Sequence, residues 1–236
     1  MNWEHFKSKF HRSWHKEIRK FIESNECNKI YTTLKASKNE IAPRSTLTFR
    51  AFEQPLKDIK CVVLFDEPYS NKFNNIQYAD GIPLSCEYVD KLHPELDEFY
   101  NAMEREFYGL NLQMRKEKNL HYLRSQGVMF LSSSLTTEIN SPERHKKLWV
   151  SFIGYVIKNI LIKKNIPIVF CGRHLYEQYK KVVPPIYPYF VVEESIMGKS
   201  STNPWNTKDV FTRLNKYLYE DTDHYDIQWV PMDVPF

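Results

Sequence analysis

Four short segments of this 236-residue chain concentrate the side chains able to do acid–base chemistry. They are Asp66-Glu67-Pro68-Tyr69-Ser70, Ser132-Ser133-Ser134-Leu135-Thr136-Thr137, Gly172-Arg173-His174 and Glu193-Glu194-Ser195-Ile196-Met197-Gly198-Lys199. Adjacent carboxylates suit general acid–base work or the holding of a water, because mutual repulsion can raise the pKa of one of them. Other chemistries find no support. There is no GxGxxG or GxxxxGK[ST] phosphate loop, and six glycines in all leave little for one. HExxH and GxSxG are also absent. Cys27, Cys61, Cys86 and Cys171 form no CxxC pair, so they read as reduced, buried thiols.

Each of the four segments follows an apolar run that reads as a strand. Lys60–Phe65, Gly127–Leu131, Ile166–Cys171 and Tyr187–Val192 are short and nearly all apolar, as in strands covered on both faces. Helical spacing of three and four separates them. Phe6, Phe10, Trp14, Ile18, Phe21 and Ile22 predict one amphipathic opening helix; Glu95 to about Lys118 predicts another. Trp149, Phe152, Ile153, Val156, Ile157, Ile160 and Leu161 predict a third, and Thr207–Tyr219 a last. Strands alternating with helices imply an α/β fold, a three-layer α/β/α sandwich on a four-stranded parallel sheet. With no repeat and no Gly/Ser linker, residues 1–236 read as a single domain. In such sheets ligands bind beyond the carboxyl ends of the strands, so the four segments are expected to share one cleft.

Composition narrows the partners. The chain is 42% hydrophobic and 15% aromatic, too aromatic for intrinsic disorder. No run approaches a membrane span, and the first residues lack the apolar core of a secretion signal. Net charge is +4, unevenly spread. Residues 1–50 carry eleven Lys/Arg against five acids, and a second basic stretch, Arg144–Lys181, is interrupted by Glu177. Glu220–Phe236 holds five acids and no base. Basic surface beside aromatics suits a phosphate backbone.

The strand-end segments resemble the uracil-DNA glycosylase superfamily. Lys60–Tyr69 (KCVVLFDEPY) matches the family's KVVILGQDPY without a gap, and Gly127–Thr137 (GVMFLSSSLTT) is similar to GVLLLNTVLTV. Asn2-Trp3-Glu4-His5 resembles the TWHD-type start, and Phe49–Phe52 the FNAF after the proline-rich loop, with Pro43 in that loop. Val169–Gly172 is similar to LLWG, and Ile227–Pro231 to the closing IDWMP. The six pieces occur in the family's order over nearly the whole chain.

The resemblance assigns roles residue by residue. Glu67 stands where an Asp positions the attacking water, beside Asp66 in place of Gln. Ser132 takes the place of an Asn that reads uracil, and Leu84 that of a Phe that stacks on it. Glu194 replaces the His that donates to the departing base, and Ile196 or Met197 falls at the leucine wedge. Tyr69, which walls off the C5 side of the base, is unchanged. Losing the His donor removes about 2.7–4 kcal/mol of transition-state stabilisation, and an ionised Glu194 adds repulsion.

These departures imply a diverged member whose pocket has turned away from uracil. The expectation is a DNA glycosylase hydrolysing the N-glycosidic bond of a flipped, modified or non-uracil base. Glu67 would hold the water, and a protonated Glu194 would act as acid. An inactive DNA-binding or protein-interaction module on the same scaffold is the alternative. Pro43, Arg44, Gly172, Arg173, Ser195, Ile196, Met197 and Lys199 would meet the DNA. No metal or cofactor is implied, since water is the only co-substrate of the family's chemistry. Expected partners are double- or single-stranded DNA and a protein of a replication, repair or defence complex, with no membrane and a monomeric chain. The expected compartment is the cytoplasm, at a nucleoid or host-cell DNA. His174 reads as a packed or solvated side chain, and His5, His11 and His15 as the wet face of the opening helix.

Overall fold

A computed structural model describes residues 3–108, 116–222 and 226–230. The strands are β1 (Ile41–Ala42), β2 (Cys61–Phe65), β3 (Lys72–Phe73), β4 (Ile76–Gln77), β5 (Val128–Ser132), β6 (Thr137–Glu138), β7 (Ile168–Cys171) and β8 (Tyr189–Val192). The α-helices are α1 (Trp3–Phe6), α2 (His15–Ile22), α3 (Asn25–Ala36), α4 (Pro94–Phe107), α5 (His121–Ser125), α6 (Lys146–Val156), α7 (Arg173–Tyr179) and α8 (Val210–Asp221).

The central sheet has the order β5-β2-β7-β8, and every pairing is parallel. This is the expected four-stranded sheet. β2, β5 and β7 are buried at every position, which is why their sequences carry no alternation. The register pairs Phe65 with Ser132, Leu64 with Phe170 and Cys171 with Val192. All four carboxyl ends therefore reach one edge, and the segments that follow them leave from it together. Helices cover both faces. No described helix is long and apolar enough to cross a membrane.

The opening helix differs from its expectation. It is broken into α1, two 3-10 turns and α2, with Phe10 extended between the turns. The His11 ring accepts from Ser13 N–H at the restart, and His11 N–H donates to Phe52 O at 2.9 Å. Helical spacing reported a shared apolar face, but the break lets Phe10 and Trp14 reach Phe52, with ring centroids at 5.4 and 5.0 Å. Helix α4 ends at Phe107, and the predicted continuation toward Lys118 runs through 109–115, outside the described residues. The third predicted helix is present as α6, which widens into a π turn at Ile157–Leu161. Asn2, Pro231 and much of the acidic tail also lie outside the described residues.

Candidate active site

Asp66 joins three of the four strand-end segments. Its carboxylate is buried; Oδ1 accepts from His174 Nε2, and Oδ2 accepts from Ser195 Oγ at 2.6 Å. Lys146 Nζ stands 3.7 Å away. The fourth segment is tied by backbone, with Ser133 N–H on Phe65 O at 2.7 Å and Ser134 N–H on Asp66 O at 2.9 Å. The expected convergence is present. Burial alone would raise the Asp66 carboxyl, but the bonds from His174 and Ser195 and the charge of Lys146 outweigh it and lower it.

Glu67 points the other way from the same turn. Both its oxygens accept from Glu143 N–H, at 2.7 and 2.8 Å, at a residue held at φ 67°. Burial pushes the Glu67 carboxyl above its ordinary range against that bond, a Thr137 contact and Lys146. A buried carboxylate with a raised pKa and a fixed orientation is suited to hold a water and take its proton.

Tyr69, Leu84 and Ser132 come together with Thr48, Ile82 and Leu135 around one cavity. The space left is about 10 Å³, room for one water and far too little for a nucleobase. Leu84 closes it in the left-handed conformation, φ 66°, and its carbonyl accepts from Tyr69 Oη at 3.0 Å. The far face of Tyr69 stacks on His93, centroids 3.7 Å apart. His93 is pushed down to about 4 by burial, so it is a neutral ring at pH 7.

Several expected roles do not survive. Glu194 is exposed and paired with Lys199, which holds its carboxyl below the ordinary range. It does not face the cavity, and the proton-donor role falls with it. The adjacent Glu193 is paired elsewhere, accepting from Arg173 Nε and Nη2 along one edge of the guanidinium. Arg173 and Lys199 are thus each already paired with a carboxylate. Ile196 is buried, so it cannot be a wedge; Met197 beside it is 38% exposed and can. Pro43 is buried behind a cis bond from Ala42, whereas Arg44 is exposed. Gly172 sits at φ 138°, where a side chain is strained, and a Cβ there would meet His174 Cε1 at 2.5 Å.

Sequence reasoning missed His174, Lys146, Glu143 and Glu95. His174 had a signal, its place directly after a strand. Glu95 accepts from Gly198 N–H at 2.7 Å, linking the first turn of α4 to the loop that carries Met197, and burial raises it to about 7. Lys146 and Glu143 N–H gave no signal, because their approach depends on how α6 begins.

A parallel α/β/α sheet whose strand-end loops gather two buried carboxylates, a tyrosine and an exposed methionine defines a DNA-glycosylase scaffold. No family model matches the chain. It is 30% identical over 221 residues to the uracil-DNA glycosylase of Borrelia turicatae, covering 92% of each chain. Identity to that of Campylobacter lari is 28% over 180 residues, 75% of each chain. In fold it is similar to the mimivirus uracil-DNA glycosylase, with a TM-score of 0.80, 19% identity, and coverage of 97% of this chain and 89% of the other. The chain belongs to the uracil-DNA glycosylase family.

Proposed function

We propose that this protein is a DNA N-glycosylase in which Glu67 holds the attacking water and whose pocket takes a base other than uracil. The observation that carries the reading is the Glu67 carboxylate, buried, oriented by Glu143 N–H and directly preceding Pro68 and Tyr69 of the cavity lining. In the step, the bond from the sugar carbon to the base nitrogen breaks and its electron pair leaves with the base. Water adds to the sugar, and its proton passes to Glu67.

Ser132 supports the altered specificity. Its rotatable hydroxyl donates or accepts equally, so it does not select the acceptor–donor edge of uracil as an oriented amide would. Glu194, paired with Lys199 and turned to solvent, does not set its charge against the leaving base. The cavity has to widen for a base to enter. The relatives' name, uracil-DNA glycosylase, supports DNA as the substrate and names uracil as their own base, so the choice of another base rests on this chain's pocket alone.

The test is release of free base from single-stranded and duplex oligonucleotides carrying uracil, the normal pyrimidines and their modified forms. The expected result is release of a non-uracil base faster than uracil, cut about 10²–10⁴-fold by Glu67→Gln. Faster uracil release overturns the choice of base. The shut cavity favours a second reading, a DNA-binding module without chemistry, for which no base is released and Glu67→Gln leaves DNA affinity unchanged.

A further inference from the structure

An apolar recess lies beside the strand-end cleft, between α1, α3 and the start of α6. It encloses about 480 Å³, within the range of about 300–1,000 Å³ typical of small-molecule sites. Ile30, Leu34, Phe49 and Phe152 form its walls.

Two features restrict the ligand. The polar group at the deep end is already engaged: Thr136 Oγ1 accepts from Trp149 Nε1 at 2.7 Å and meets His145 Nδ1 at 3.0 Å. Cys27 lines the wall as an uncharged thiol, raised to about 11 by burial. The interior thus suits a hydrocarbon chain better than a sugar or a base. Lys9 and Lys35 stand on the lining, with no ion pair among the described residues and no carboxylate among the lining residues. Neighbouring Lys7, by contrast, is paired with Glu4. Thr48 lines both this recess and the base cavity, so an occupant stands one side chain from it.

We propose that this recess binds a free single-chain aliphatic carboxylate, its chain against Ile30, Leu34 and Phe152 and its carboxylate between Lys9 and Lys35. A two-chain membrane lipid does not suit a pocket enclosed between helices.

The experiment titrates the full-length protein calorimetrically with dodecanoate below its micelle concentration. In parallel it uses dodecyltrimethylammonium and phosphatidylglycerol vesicles. The expected result is one dodecanoate per chain, with neither the cationic amphiphile nor the vesicles bound. In Lys9→Glu/Lys35→Glu, dodecanoate binds about tenfold more weakly, ~1.4 kcal/mol. Leu34→Trp, which fills the recess from its rim, abolishes binding. Both lysines are at the surface, so the charge variant keeps the test decisive if Leu34→Trp fails to fold. No binding of dodecanoate, equal binding of the cationic amphiphile, preference for vesicles, or an unaltered affinity in the charge variant each overturns the proposal.

Discussion

Ser195 Oγ donates to Asp66 Oδ2 at 2.6 Å across 129 positions of sequence. With the His174 bond to the other oxygen, one buried carboxylate fastens the loops after β7 and β8 to the loop after β2. The loop that carries Met197 is therefore anchored on the side chain directly before Glu67.

That anchor predicts a pH-dependent stability. Asp66 has a lowered pKa in the fold, so its contribution is complete above the unfolded value, near 3.9, and is lost as pH falls through the folded value. Asp66→Asn should cost about 1–3 kcal/mol at pH 7 by urea unfolding. The gap to the unaltered protein should close in strong acid; a gap independent of pH would contradict the charge-assisted role.

Glu67 predicts the opposite trade. Its pKa is raised, so stability falls as pH rises from the unfolded value through the folded one. Glu67→Gln keeps an oxygen for Glu143 N–H without the buried charge. It should unfold at a higher urea concentration than the unaltered protein at pH 7, while base release is lost. Lower stability would mean that the carboxylate serves packing and not chemistry.

Glu95 should titrate near 7, observable as a carboxyl carbon resonance absent from Glu95→Gln. Because this value is raised, stability attributable to Glu95 declines between about pH 4.3 and 7. Glu95→Gln should flatten that decline in melting temperature. Hydrogen exchange at Gly198 N–H should also quicken if a weaker amide acceptor replaces the carboxylate.

Leu84 offers a test of backbone strain. Ala at φ 66° keeps the strain and loses the packed side chain, whereas Gly loses the side chain but relieves the strain. Leu84→Gly should therefore be more stable than Leu84→Ala by about 1 kcal/mol, reversing the usual order. Both should open the cavity and speed base entry, read as faster single-turnover release.

Arg44 and Arg173 should part company on DNA. Arg44→Ala should weaken binding irrespective of sequence and lower the salt slope by about 1, as for one lost phosphate contact. Arg173→Ala should change the slope less, since Glu193 already occupies its guanidinium. Equal effects would show that DNA breaks the Arg173–Glu193 pair.

The four central strands and the cleft at their ends were legible in the order of residues, because fully buried parallel strands leave unbroken apolar runs and their connections must cross over. That Glu67 and Tyr69 lie at a strand's carboxyl end was legible for the same reason, since they follow such a run. What a side chain does once it leaves the backbone was not legible. Glu194 and Ile196 flank Ser195, yet one turns to solvent and Lys199 while the other enters the core. Only the path of the loop, held by Asp66, Glu95 and the Trp205 Nε1 bond to Glu194 O, decides between them. Those holds come from residues more than ten to more than a hundred positions away, and local pattern carries no information about partners that meet only when the chain is folded.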